Sequence, residues 1–471
     1  MANKPPTLDL LTLPLLGRFW RWRHARTAMQ IPLLLVALVV VWDGFTGSPL
    51  APRNLATILP WLHYRGFVIL ALLIFGNAFC MACPFMLPRN ALRRFIQPAR
   101  HWPARLRNKW LAAALFALFL FVYERYDLWS TPWWTAWLIV GYFITALLLD
   151  ALFEGAPFCK YVCPLGQFNF LGSLVSPFEV RVRSQDVCAA CTTHDCLRGR
   201  GTQRGCELWL FQPRKVGNLD CTFCLDCVHA CPHDNIGIQP RLPAAELWFD
   251  GARSGVGRLF RRADFAALTT IFVFGALLNA FGMVSPVYTL EAWLADLLHV
   301  QSETPVLAII FGAALLLEPL LLLGGAAWLT RHLAHVPHTP VHIALRYVYT
   351  LVPFGVGMWA AHYAFHFLSG FWSFVPVVQS IALEFGITWL GRPHWELAAL
   401  VPLAWLDPLE WGLIGLGAFG SLIAITERAQ RDAPHAWQRA ALPWVGVLLV
   451  LTLSALWLMT QPMEMRGTLL G

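Results

Sequence analysis

The stretch Cys221-Thr-Phe-Cys224-Leu-Asp-Cys227-Val-His-Ala-Cys231-Pro232 decides how the rest of the chain is read. Four cysteines separated by two, two and three residues and closed by proline suit a cubane iron–sulfur cluster: a tight loop supplies three corners while the fourth cysteine reaches away. Structural zinc prefers two separated ligand pairs and does not account for four cysteines in one run. An irregular second set lies upstream in Cys188-Ala-Ala-Cys191-Thr-Thr-His-Asp-Cys196, followed by Cys206. Where two such runs occur, the fourth cysteine of each serves the other cluster. One [4Fe–4S] cluster is therefore expected on Cys188, Cys191, Cys196 and Cys231, and another on Cys206, Cys221, Cys224 and Cys227. The wider spacing between Cys191 and Cys196 also admits a labile or three-iron centre there.

With 57% hydrophobic and only 13% charged residues over 471 positions, the chain is too apolar for a soluble protein of this size. Its 23 tryptophans suit the two interfaces of a bilayer. The formal charge of +8 comes from residues flanking apolar runs, which points to membrane orientation rather than nucleic acid. Nine spans are expected, near 31–45, 61–79, 110–123, 133–153, 265–285, 305–329, 346–370, 409–426 and 442–460. The segment 371–408 is expected to lie along the interface. No small-residue cleavage site follows the first apolar run, so that helix is expected to be retained. Of the 35 Lys and Arg residues, all but Arg53, Arg65, Arg125, Arg392 and Arg466 then fall on one side, which places the N-terminus inside and the C-terminus outside a bacterial-type inner membrane. All 12 cysteines sit at or beyond cytoplasmic helix ends, where thiols stay reduced and clusters are favoured over disulfides. The expected fold is an all-α polytopic membrane protein with an inserted α+β two-cluster ferredoxin-like module on the cytoplasmic face. Two membrane hairpins occupy 1–180, the module 181–245, and a five-helix membrane domain 246–471.

The two hairpins read as an internal repeat, Gly76-Asn-Ala-Phe-Cys80 matching Gly155-Ala-Pro-Phe-Cys159. Each ends in a cysteine pair closed by proline: Cys80 and Cys83, then Cys159 and Cys163. Three readings stand for these four: a third cluster or metal site, a dithiol relay exchanging electrons with a partner or with copper, or unligated cysteines beside helix-ending prolines. Lys160 would favour a thiolate at Cys159. Ionisable groups inside a bilayer cost roughly 2.5 to 3.5 kcal/mol on insertion scales, so Glu318, before Pro319, is read either as a proton-relay carboxylate or as a partner for the carbonyl that Pro319 frees. His362 and His366 share one helix face and are candidates for haem b ligation, quinone hydrogen bonding or interhelical bonds, with His63 as a further haem partner. The histidines at 332, 335, 338 and 342 read as a solvated loop.

The strings Cys80-Met-Ala-Cys83-Pro84-Phe-Met-Leu-Pro88-Arg89 and Phe158-Cys159-Lys-Tyr-Val-Cys163-Pro164-Leu-Gly166-Gln167-Phe-Asn169, followed by the two-cluster insert, resemble the membrane polyferredoxins of the NapH/NosR/CcoG type, nearest the FesM-like branch. The resemblance covers roughly residues 60–240. It implies electron transfer between a cytoplasmic donor and quinone or a membrane redox complex, with copper reduction and cofactor maturation known for some relatives. Three functions follow as expectations: an iron–sulfur electron carrier in the lipid bilayer, a reductive metal-centre maturation or copper-reducing factor, and a redox-sensing or scaffold subunit.

Overall fold

The computed structural model describes residues 8–249 and 251–463; Arg466 lies outside them. The chain is mostly helical, and the described residues contain one two-stranded sheet. Among the described residues eight helices are long and apolar enough to cross a bilayer: Ala25–Thr46, Leu55–Phe75, Pro132–Leu152, Ala263–Phe281, Glu303–Ala334, Pro340–Ser369, Leu403–Asp432 and Trp437–Met459. They carry apolar side chains on their outer faces too. Leu316, Leu320 and Leu416 are each at least 70% exposed, a surface that water penalises and lipid does not. These features fit a multi-pass membrane protein. The expected span near 110–123 is the helix Trp110–Arg125, whose 16 residues reach about 24 Å against a hydrocarbon core of about 30 Å. The segment 371–408 holds the 11-residue helix Phe374–Glu384 and no membrane-length helix.

Three membrane or membrane-end segments widen into π-helical turns: Leu59–Tyr64, Phe158–Val162 and Ala313–Leu317. The first contains His63, the second contains Cys159, and the third runs directly into Glu318 and Pro319. Pro319 has no N–H to give to the preceding turn, and a widened turn absorbs that loss.

By its internal packing the chain divides into two units. The first comprises Met1–Ala37, Leu70–Ala112 and Tyr142–Phe265. In it, β1 (Phe178–Val182) pairs antiparallel with β2 (Ile236–Pro240), Val180 opposite Ile238. One strand enters the cysteine-bearing insert and the other leaves it, so their pairing closes its base. The N-terminal segment is tied to this sheet through Asp9, which accepts from the Ile238 N–H at 3.1 Å and from Arg183 Nε at 2.8 Å.

The second unit comprises Leu38–Ile69, Ala113–Gly141 and Ala266–Gly471. Here Pro340–Ser369 and Leu403–Asp432 approach backbone to backbone: a Cβ on Gly417 would stand 2.7 Å from the Pro353 carbonyl oxygen and 3.0 Å from the Gly357 Cα. Small residues permit such contact between membrane helices. The Ser421 hydroxyl accepts from the Phe354 N–H across this interface at 2.9 Å. Gly417→Leu is expected to force the pair apart and cost about 1–3 kcal/mol, read as a lower thermal midpoint in detergent. Gly412→Leu is the control, because a Cβ there meets nothing within 4 Å.

Candidate metal centres

The loop leading to Cys231 is held in an unfavourable backbone shape. Asp220, Phe223 and Leu225 all adopt left-handed backbone, with φ of 61°, 55° and 60°. Such residues cost on the order of 1–3 kcal/mol each and persist only where the surroundings enforce them. The consequence is a tightly turning loop around Cys221 and Cys224. The loop runs into the short helix Asp226–Ala230, which sets Cys227 and Cys231 one turn apart. Each joins a different group of sulfurs.

Cys188, Cys191, Cys196 and Cys231 line one cavity. Asn235 serves two of them: its side-chain Nδ2 donates to Cys188 Sγ at 3.2 Å and its backbone N–H to Cys231 Sγ at 3.4 Å. Cys191 is nearest solvent, and the His194 N–H and Thr193 hydroxyl hold its thiol below the ordinary range. The second quartet is Cys206, Cys221, Cys224 and Cys227. Burial raises the Cys227 thiol well above normal, and charge on Cys206, Cys224 or Cys221 raises it further, so the four are electrostatic neighbours. Burial pushes Cys206 up to about 11 although the Leu210 N–H donates to its sulfur at 3.4 Å.

Cys80, Cys83, Cys159 and Cys163 form the third quartet. Burial pushes Cys80 up to about 12 and Cys83 up to about 11. Cys163 senses charge on Cys83 and Cys80, and Cys159 senses Cys163 and Cys83. Asn169 Nδ2 donates to Cys80 Sγ at 3.3 Å and the Gly166 N–H to Cys163 Sγ at 3.2 Å. The third quartet adjoins the second: Cys80 senses Cys221, and Asn77 Nδ2 donates to the Cys221 carbonyl at 3.0 Å. Gly76, at φ 73°, leaves room for the Phe223 ring, which a Cβ would meet at 2.6 Å.

Among the described residues no three His, Cys, Asp or Glu side chains gather closely enough to share a single metal ion. What the residues present would offer an iron–sulfur cluster is four sulfurs in each quartet and N–H donors aimed at Cys80, Cys163, Cys188, Cys206 and Cys231. The Asn169 side-chain oxygen is buried without a hydrogen-bond partner, a cost that is offset where its N–H faces an anionic sulfur.

Buried cations surround these sulfurs. Arg89, fully buried, pairs with Asp150 at 3.1 Å and Glu207 at 2.8 Å. Arg26 pairs with Asp226 at 3.3 Å and Glu207 at 3.5 Å. Lys109 Nζ donates to Asp220 Oδ1 and to the Lys160 carbonyl, both at 2.5 Å. Lys160 does not serve Cys159 as its position in sequence implied. Its ammonium turns to the Leu208 carbonyl at 2.7 Å and acts on Cys206, while Arg89 is the cation that Cys159 senses. Composition gave no sign of this network, because its members lie up to 200 positions apart in sequence.

Glu318 lines a different place, an apolar cavity of about 600 Å³ in the second unit, walled by residues such as Phe274, Leu277, Leu290, Ile310 and Leu458. His362 and His366 are not among its lining residues. His362 is fully buried and neither ring nitrogen has a hydrogen-bond partner; His366 Nε2 lies 3.3 Å from Met283 Sδ. The ring nitrogens of His63 lie 3.2 Å and 2.7 Å from the carbonyl oxygens of Ile58 and Phe371, so both face backbone.

The fold and sites together define a class, a multi-pass membrane protein with three cysteine quartets in one unit. One curated protein is similar to part of it: YccM of Escherichia coli (strain K12), whose name describes it provisionally as an electron transport protein, is 35% identical over 89 residues. That stretch is 19% of this chain and 23% of YccM. No family profile matches the chain, and no solved structure is similar to it.

Proposed function

We propose that the protein is a membrane-bound iron–sulfur electron carrier that passes electrons between a cytoplasmic donor and quinone or a membrane redox partner. The observation that carries this is the convergence of all twelve cysteines into three quartets, the second adjoining the third. The name of YccM, matched over a short stretch, supports the same role. In this reading residues 181–245 are a ferredoxin-like module whose two [4Fe–4S] clusters sit in the first and second quartets, and the third quartet supplies a further metal centre. Bound clusters would provide one-electron steps; the protein's own groups hold them, exclude water and set their potential through N–H donors and buried cations.

Convergence of the third quartet also bears on topology. Its two halves are separated by the membrane-length helix Pro132–Leu152. In this reading the chain leaves the membrane face at Cys83 and returns to it at Cys159 after two crossings, Trp110–Arg125 and Pro132–Leu152. Nine crossings then leave the N-terminus inside and the C-terminus outside, in agreement with the distribution of basic residues.

Quinone is supported by the Glu318 cavity, because reducing a quinone takes up two protons with two electrons and this apolar space presents one carboxyl. Glu318→Gln is expected to slow quinone-linked turnover about a hundredfold, at the low end of what a positioned proton donor contributes, with cluster spectra unchanged. Unaltered turnover removes Glu318 from the reaction. The basic test is iron and acid-labile sulfide per chain on anaerobically purified protein, with a reduced-minus-oxidised spectrum. About twelve irons without a Soret band is the expected result. About eight would return the third quartet to thiol chemistry or structure, and a Soret band would make His362 and His366 haem candidates. Copper handling has one observation in its favour, the Met86 thioether 3.5 Å from Cys159 Sγ, since thioether and thiolate together select Cu(I). Copper rather than iron in the third quartet of the same sample would establish it.

A further inference from the structure

A second cavity, of about 410 Å³, opens in the first unit against Cys224 of the second quartet. Its walls are unusually basic: Arg23, His24, Arg26, Arg93, Arg94 and Arg204. Asp226 is the one carboxylate among the lining residues, and Arg26 already pairs with it at 3.3 Å. Arg204 is paired with Glu207 at 2.9 Å, and Arg93 donates to the carbonyls of Asp150, Phe153 and Gly155. Arg23 and Arg94 form no ion pair among the described residues, both are exposed, and the buried Nε of Arg26 has no hydrogen-bond partner. Arg26 and Arg204 thus share the carboxylates of Asp226 and Glu207, which leaves the Arg23 and Arg94 guanidiniums to attract a further anion.

Two further features indicate which anion. The cavity is walled on one side by the first turn of Ala25–Thr46, a 22-residue membrane-length helix whose dipole favours negative charge at that end. Next in sequence to the lining residues Arg23 and Arg94, Trp22, Phe95 and Ile96 are 48%, 86% and 50% exposed, apolar side chains suited to the acyl boundary of a bilayer. From these we infer that the cavity is a phosphate-binding site that takes the headgroup of an anionic phospholipid, the guanidiniums gripping phosphate oxygens while the apolar side chains contact the acyl chains. A soluble phosphate ester shares the headgroup chemistry but makes no use of these apolar side chains.

The site also has a consequence for electron transfer, and this part alone rests on Cys224 being a cluster ligand. An anion held beside Cys224 disfavours the extra negative charge of reduction, so filling the site lowers the potential of the second centre. Membrane composition would then set how readily the carrier accepts electrons.

Native mass spectrometry on the full-length protein in neutral detergent tests binding without reference to iron. Phosphatidylglycerol, phosphatidylcholine and inorganic phosphate serve as the three probes. The expected result is retention of phosphatidylglycerol over phosphatidylcholine, weakened about tenfold or more in Arg23→Gln/Arg94→Gln and restored in Arg23→Lys/Arg94→Lys. Both residues are exposed, so the variants should fold. Equal retention of the two lipids, or no change in the glutamine variant, overturns the proposal. Phosphate binding without phosphatidylglycerol binding overturns the lipid assignment and upholds a soluble ester instead. Where phosphatidylglycerol binds, redox titration monitored by EPR should show one midpoint potential falling. If binding holds and no signal exists to titrate, the cluster reading has failed and the lipid site stands.

Discussion

Replacing Cys231 by alanine is expected to remove one cluster signal and about four of about twelve irons, and to leave the centre bounded by Cys221, Cys224 and Cys227 intact. Replacing Cys224 should do the converse. Geometry is the reason. Cys231 belongs by sequence to the Cys221–Cys227 run, yet the helix Asp226–Ala230 separates it by a turn from Cys227 and delivers it to the cavity that Cys188, Cys191 and Cys196 line. Asn235 donates to both Cys188 and Cys231, which fastens two chain segments to one quartet. Low-temperature EPR with iron analysis on each variant resolves the assignment. If Cys231→Ala abolishes the same signal as Cys224→Ala and spares the other, the crossed arrangement is wrong. Cys163→Ala extends the test: it should remove about four irons without touching either module signal, and an unchanged iron content would show that the third quartet binds none.

Much of this arrangement was legible because it depends on spacing. The Cys-x2-Cys-x2-Cys-x3-Cys-Pro run and the repeat of Gly76–Cys80 at Gly155–Cys159 are local patterns, and the grouping of Cys231 with Cys188, Cys191 and Cys196 is what the first of them leads one to expect. Apolar runs marked the membrane helices for the same reason, although Trp110–Arg125 shows how a 16-residue helix stops short of the usual length. What the sequence did not disclose is set by tertiary contact. Lys160 stands beside Cys159 in the chain, but the widened turn Phe158–Val162 carries its ammonium to the Leu208 carbonyl. Glu318 reads as a proton-relay carboxylate and His362 as a haem, quinone or interhelical candidate because both are polar groups in apolar helices; the structure gives Glu318 a cavity that His362 does not line. The pairing of Arg89 with Glu207 spans 118 positions, and no periodicity predicts an ion pair across such a distance.

That pairing yields the largest expected effect on stability. Arg89→Met should destabilise the protein by about 3–5 kcal/mol, since it leaves Glu207 and Asp150 as buried carboxylates without their main counter-ion. Native stability is typically only about 5–15 kcal/mol, so the variant is expected to accumulate poorly or to unfold several degrees earlier in detergent. Glu207 contributes one pH-dependent part of this stability. Burial opposes its ionisation, but the guanidiniums of Arg89, Arg26 and Arg204 outweigh burial and hold it well below the usual carboxylate range. A depressed folded-state pKa contributes stability above the unfolded value, near 4.3, that is lost as pH falls through the folded value. In the wild type this loss is therefore confined to strongly acid conditions. In Arg89→Met one of three cations is gone, burial weighs more heavily, and the same loss should begin at higher pH. The double variant Arg89→Met/Glu207→Gln removes the stranded charge and should recover part of the stability, which a purely steric role for Arg89 would not produce. A cost below about 1 kcal/mol for the single variant, the range of exposed pairs, would sink the network's structural role. The same side chain should matter to redox chemistry, because Arg89 is a buried cation within electrostatic reach of Cys159 and Cys83. A fixed positive charge there stabilises the reduced, more negative state of whatever the third quartet holds, so Arg89→Lys, where it folds, should keep the potential while Arg89→Met lowers it.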